Sequence, residues 1–145
     1  MEQLIASLKI TLSNTFMMYF KAHSYHWNVE GQNFSQYHNF LGELYEELFG
    51  AVDPMAEELR ALDQYAPISL TDLYNKKTTT EDSMKPDDFR GMVNSLLADN
   101  IKVLESLNQT FKLATNQDLQ GLADFIAGRI DKHKKHEWML RSFLK

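Results

Sequence analysis

The stretch His26–Glu57, HWNVEGQNFSQYHNFLGELYEELFGAVDPMAE, decides how the rest of the chain must be arranged. It holds four side chains of types that bind hard or borderline metal ions: His26, His38, Asp53 and Glu57. From Phe34 to about Asp63 the pattern reads as one helix. His38 and Asp53 stand 15 residues apart on it, which at the helical rise is roughly 22 Å. Ligands that far apart cannot share one ion. On a helical wheel, Asp53 lies about 60° and Glu57 about 100° from His38, so all three look out on one broad side. A second copy of the helix, antiparallel across a two-fold axis, brings its Asp53 and Glu57 level with the first copy's His38. That contact is isologous and makes two equivalent sites, each with two histidines from one subunit and two carboxylates from the other. The spacing therefore predicts a metal site that exists only in a dimer.

At 145 residues the chain suits one domain, 1–145, with a sizeable core. Six glycines, three prolines and little strand-type alternation favour helices. The chain has no cysteine, which excludes a disulfide framework, thiolate catalysis and a thiol metal site. The segment MEQLIASLKI lacks the basic and apolar regions of a signal peptide, and no run approaches a membrane span, so a cytoplasmic protein with no membrane partner is expected. A formal charge of −5 disfavours a phosphate-binding surface and suits a molecule that attracts cations.

From Glu2 to about Val29 apolar residues recur three and four apart at Leu4, Ile5, Leu8, Leu12, Phe16, Tyr19 and Phe20, the helical period, with His23 and His26 continuing the stripe. Gly31 and an N-cap at Asn33 separate this helix from the second. Among the acids of the second helix, Glu43 and Glu47 read as a solvated face, whereas Glu46, about 80° from His38, lies on the metal side. Pro54 removes the backbone donor to Gly50 and is expected to kink the helix beside Asp53. The polar connection from Asp63 to Lys85, with a short apolar patch at Leu70, Leu73 and Tyr74, is long enough to return along a helix. Pro86, Asp87 and Asp88 open a third helix, and Asn116 and Asp118 a fourth, from about Leu119 to Leu144. The expected fold is all-α: a ferritin-like four-helix bundle with a long crossover, carrying a short helix, between helices 2 and 3.

A metal centre inside such a bundle uses Glu-x-x-His pairs, and the chain contains none. His133 and His136, in DKHKKHEW, are three apart, yet lysines 132, 134 and 135 repel a cation, so they read as a satisfied, partly exposed pair. No Gly-rich phosphate loop or nucleophile elbow is present. Trp27 reads most simply as a core aromatic. Beside an iron-oxidising site, its indole would absorb a stray one-electron oxidant.

The segments HWNVEGQNF with His38, VDPMAEELRALDQYAP, MVNSLLADN and GLADFIAGRIDKHKKHEWMLRSFL closely resemble their counterparts in the Dps family, the dodecameric mini-ferritins named for DNA protection during starvation. The resemblance covers nearly the whole chain. It implies an inter-subunit ferroxidase site of His26, His38, Asp53 and Glu57, a homo-oligomer of twelve built from two-fold dimers, and iron as the metal, with zinc or manganese as possible substitutes. Fe(II) would be oxidised by hydrogen peroxide or dioxygen, and Fe(III) would be stored in a hollow shell, with Glu46 as a candidate nucleation residue. Asp124 matches a pore-lining aspartate of the family, with Asp118 a weaker candidate. Two departures stand out: Glu58 where the family usually has Arg, and Asp63 where it usually has Gly. The competing reading is a nucleoid-compacting DNA-binding protein. Its basic tail is not found here, because Lys9 is the first basic residue and the chain ends just past the last helix, so direct DNA binding is not expected. A structural helical module would be a single subunit without metal.

Overall fold

The computed structural model describes all 145 residues. Five helices and no strands make up the chain: α1 (Glu2–Asn28), α2 (Phe34–Ala61), α3 (Leu70–Lys76), α4 (Phe89–Thr115) and α5 (Gln120–Ser142). The buried residues of α2, Leu41, Leu44, Leu48, Ala51, Met55 and Leu59, keep the three-and-four spacing throughout. All but Ala51 join Leu4, Leu8, Met18, Leu96, Leu107, Ile126 and Leu140 in one core. None of the helices is long and apolar enough to cross a membrane.

Contacts between helices establish their directions. Ser7 meets Thr110 and Lys21 meets Asp99, so α4 runs against α1. His26 meets His38 and Tyr19 meets Phe49, so α2 also runs against α1. Two helices that both oppose α1 are parallel to each other, and residues 62–88 must therefore travel the length of the bundle between them. Asn100 meets His133 and Phe89 meets Phe143, which sets α5 against α4. The four long helices thus form two antiparallel hairpins joined by one crossover, the expected ferritin-like plan.

The crossover is tied to α1 by polar contacts in register. Asn14 Oδ1 accepts from the Thr78 amide at 2.7 Å, Lys21 Nζ donates to the Thr80 carbonyl at 2.8 Å, and the Tyr25 hydroxyl donates to Asp82. This explains why α1 buries Asn14 and Lys21, while Thr11 is buried against Thr110 of α4 at 2.9 Å; all three lie outside the apolar stripe read from the sequence. Phe20, placed in that stripe, is half exposed instead, on the wall of an open groove between α1 and the crossover.

Several ends differ in detail from the sequence reading. Asn33 stands at the N-terminus of α2 but makes no side-chain cap. The third long helix starts at Phe89, with Asp88 Oδ1 accepting from the Gly91 amide at 2.8 Å and Pro86 left outside it. The fourth begins at Gln120, and Asp118 lies before it, with φ +57°. Asp63, with φ +58°, closes α2, and beyond it the Gln64 amide donates to the Leu59 carbonyl at 3.0 Å. That left-handed position is one glycine fills without steric cost, which accounts for the family's glycine there. α2 runs unbroken through Pro54.

Lys21 and Asp99 form an ion pair at 2.9 Å with side chains only 8% and 3% exposed. Burial raises the Asp99 pKa and Lys21 opposes that rise. Lys21→Met leaves the carboxylate buried without its cation and the Thr80 carbonyl without its donor. Denaturant unfolding is expected to show a loss of about 3–5 kcal/mol; a stability within about 0.5 kcal/mol of wild type, the usual range for surface changes, would contradict the assignment.

Candidate metal site

His26 lies in the last turn of α1 and His38 in the second turn of α2, on either side of a turn whose Gly31 has φ +104°. That hairpin brings the two imidazoles face to face, with ring centroids 3.7 Å apart and planes 18° from parallel. Each Nδ1 sits on the other residue's backbone carbonyl: His26 Nδ1 to His38 O at 2.8 Å, His38 Nδ1 to His26 O at 2.7 Å. A carbonyl only accepts, so both Nδ1 atoms carry the proton. In the neutral rings both Nε2 atoms are then free lone pairs, the arrangement in which metal-ligating histidines are held.

The rings are wedged in place. Phe34 stacks beside His38 at 4.9 Å. On α2, a Cβ built at Gly42 would lie 3.2 Å from His26 Cε1 and 3.3 Å from its Nδ1. Behind them His23 stacks on Tyr45 at 3.7 Å and its Nδ1 lies 3.0 Å from the Tyr19 hydroxyl. Burial and then the His26 charge lower the His23 pKa, which favours a neutral ring accepting from the phenol. Gly42 was not singled out from the sequence, although a glycine inside a long apolar-periodic helix costs about 1 kcal/mol against alanine and so signals a close approach.

Asp53 and Glu57 are exposed on α2, while Ala51, Met55 and Leu59 beside them face the core. Within one chain no group of three His, Asp or Glu side chains is placed to hold a metal ion. The structure thus brings His26 and His38 together and leaves the two carboxylates far along the same helix. Trp27, expected in the core, is 58% exposed, its ring 4.2 Å from that of His23. Between α1 and the crossover an apolar groove of about 600 Å³ is lined by Phe16, Tyr19, Phe20, Phe49, Leu70 and Tyr74 among others. Glu46 is exposed on α2, Asp124 is exposed on α5, and Asp118 is exposed in the turn before α5.

Two readings are corrected. Glu47 is not a solvated acid: it bridges to α5, accepting from Arg129 Nη1 at 2.6 Å, from Arg129 Nη2 at 2.9 Å and from His136 Nε2 at 2.7 Å. His133 and His136 are buried rather than partly exposed, because Asn100 and Glu47 supply partners inside the bundle. No sequence signal marked this network, since its members come from three helices.

Two outcomes are expected. The His26 ring can retreat from a Gly42→Ala methyl only by loosening its stack on His38 and its hydrogen bond to His38 O. Overpacking of about 1–3 kcal/mol exceeds the helix-propensity gain of about 1 kcal/mol, so thermal unfolding of the variant should occur below wild type. For Glu47, burial alone would raise the pKa, but the His136 and Arg129 hydrogen bonds and the Arg129 charge win and hold it well below the usual carboxylate range. A depressed folded-state pKa stabilises at pH above the unfolded value and is lost as pH falls. The stability difference between wild type and Glu47→Gln should therefore be full above about pH 5 and shrink progressively below about pH 4, where an unfolded carboxylate takes up its proton. A pH-independent difference in parallel denaturation curves would contradict it.

The model of the Ferritin-like domain family matches residues 5–145. A low temperature-induced protein of Nostoc sp. is 31% identical over 145 residues, covering 99% of this chain and 80% of that protein. DNA protection during starvation protein 2 of Bacillus anthracis is 28% identical, covering 99% of this chain and 97% of its own length. The crystal structure of Dps from Thermosynechococcus elongatus superposes with a TM-score of 0.95 at 28% identity, covering 99% of this chain and 91% of that one. The chain carries the family's two-hairpin bundle over nearly its full length, and it belongs to the Dps family of the ferritin-like superfamily.

Proposed function

We propose that this chain is a mini-ferritin subunit that oxidises Fe(II) at sites shared between two copies and stores the Fe(III) in a shell of twelve. The observation that carries this reading is the reciprocal lock of His26 and His38. Two lone pairs are held ready at one end of α2, and two unpaired carboxylates wait about four turns away at the other. The exposed aromatic groove beside them fits a second copy, which would cover Phe20, Phe49 and Trp27 while delivering its Asp53 and Glu57 to the histidines.

Two imidazole nitrogens with two carboxylates suit Fe(II), and zinc or manganese compete for the same donors. Iron is the substrate. Hydrogen peroxide takes one electron from each of two ferrous ions and two protons from water, whose hydroxide goes to the Fe(III), and leaves as two waters, so no hydroxyl radical is released. Dioxygen is the alternative oxidant. Removing ferrous iron and peroxide together protects DNA without contact with it. Trp27, its indole at the edge of the site, supplies an electron to any one-electron oxidant that escapes. Glu46 on the inner side of α2 nucleates the Fe(III) product, and Asp124, helped by Asp118, lines the cation entry. Twelve chains of formal charge −5 carry about −60 together, which concentrates cations at such openings.

The shared site has a particular genetic signature. His26→Ala and Asp53→Ala chains should each lose rapid peroxide-driven Fe(II) oxidation. Dissociated and reassembled together, half of the dimers are mixed, and each mixed dimer holds one intact site and one doubly altered one. About one quarter of wild-type activity should return by this statistical pairing. Stopped-flow absorbance of Fe(III) formation measures it. No recovery would place the ligands within one subunit, and wild-type rates in either single variant would refute the ligand assignment.

A further inference from the structure

Tyr19, His23 and Trp27 follow one another along α1 at intervals of four residues, so their rings share one face of the helix, each about one turn beyond the last. The His23 ring lies between the other two: its centroid is 4.2 Å from that of Trp27 and 5.6 Å from that of Tyr19. Tyr45 of α2 stacks on it at 3.7 Å with planes 6° apart, which fixes the imidazole in this position. Of the two tyrosines on His23, Tyr19 is the one hydrogen-bonded to it, its hydroxyl donating to Nδ1 at 3.0 Å, whereas Tyr45 reaches the imidazole through its ring face. Trp27 is exposed and meets an oxidant from outside, while Tyr19 and His23 are partly buried behind it.

A phenol gives up an electron far more readily when its proton can leave at the same moment, because the cation that would otherwise form is a very strong acid. A hydrogen-bonded imidazole is the side chain suited to take that proton near neutral pH. We propose that Tyr19, with His23 as its proton acceptor, re-reduces Trp27 after the indole has given an electron to hydroxyl radical, an inference that rests on the place of Trp27 beside the proposed iron site. Hydroxyl radical takes one electron from the indole and becomes hydroxide, leaving an indole cation radical. One electron then passes from Tyr19 across the His23 ring to Trp27, and the phenol proton moves to His23 Nδ1. The products are a restored indole, a neutral phenoxyl radical and an imidazolium. A ferrous ion returns the electron to Tyr19 as it becomes Fe(III), and His23 returns the proton to the same oxygen. In sum, one hydroxyl radical and one Fe(II) become hydroxide and Fe(III), and every side chain is as it began. Phe20, the other ring beside Trp27 at 6.3 Å, has no ionisable hydrogen and cannot take the place of Tyr19.

The chain has two tryptophans, so Trp138→Phe leaves Trp27 as its one indole. In that protein, full-length and metal-free, azide radical from pulse radiolysis oxidises the indole, and transient absorption follows what becomes of it. The Trp27 radical is expected to decay into a tyrosyl radical at a rate that does not depend on protein concentration. Adding Tyr19→Phe should abolish the conversion, and Tyr45→Phe, which keeps the stack, should leave it intact. His23→Phe keeps a ring but removes the base, and should slow the conversion by about 100-fold, the lower end of what a placed base contributes. Each tyrosine change removes a single oxygen, so loss in one and not in the other is no folding effect. Absence of conversion in the Trp138→Phe protein overturns the proposal. So does a conversion that survives Tyr19→Phe, one that also disappears in Tyr45→Phe, or an unchanged rate in His23→Phe. The measurement contains no iron, so its failure leaves the shared iron site standing, and failure of the mixed-dimer test leaves this result standing.

Discussion

An α-helix is a straight rod that advances about 1.5 Å per residue, and side chains on one rod separate in proportion to their spacing. Everything at the candidate site follows from that constraint. His26 and His38 converge because they lie close to a turn, where two antiparallel rods are joined and Gly31 adopts φ +104°. Asp53 and Glu57 lie farther along the second rod, and the hairpin has no way to bring them back. The reciprocal Nδ1-to-carbonyl bonds then convert proximity into a defined chemical state, since each ring's tautomer is dictated by the other's backbone.

The remainder of the bundle keeps α1 and α2 in this relation. The parallel arrangement of α2 and α4 forces the crossover along α1, where Asn14, Lys21 and Tyr25 receive it one after another. On the opposite side, Tyr37 stacks on Phe89 at 3.7 Å and Phe40 meets Phe143 at 4.6 Å, closing one end of the bundle across three helices. Buried ion pairs are weak sources of net stability, and one partner removed leaves an uncompensated charge. Lys21–Asp99 and Glu47–Arg129 therefore act as register marks: a helix displaced by one turn would separate them. The acids Asp53, Glu57 and Glu46 are treated differently. They stay in water, where an unpaired carboxylate costs little.

Periodicity made the long helices readable, because an apolar residue every three or four positions has one physical interpretation when glycine and proline are scarce. The separation of His38 from Asp53 was readable for the same reason. Charge was misread where it depended on another helix. Glu47 and Glu43 look alike in sequence, each an acid on a helix rich in acids, yet one meets Arg129 and His136 while the other stays exposed. Lysines around His133 and His136 suggested an exposed segment, although the two histidines occupy the inward side of α5 and the lysines at 134 and 135 its outward side. Phe20 and Trp27 erred in the other direction: apolar character predicts removal from water, and one chain alone leaves both of them exposed.

The order of residues by itself determined that the chain is helical, that its middle connection is long, and that two histidines and two acids on α1 and α2 are too far apart to meet within one hairpin. These are local quantities, set by rise per residue and by spacing. Only the tertiary structure decided which proton each imidazole carries, that Gly42 makes room for His26, and that Arg129 fills the space between Glu47 and His133. Each of these depends on atoms from separate helices lying within hydrogen-bond or van der Waals distance, and no spacing along a single helix encodes that.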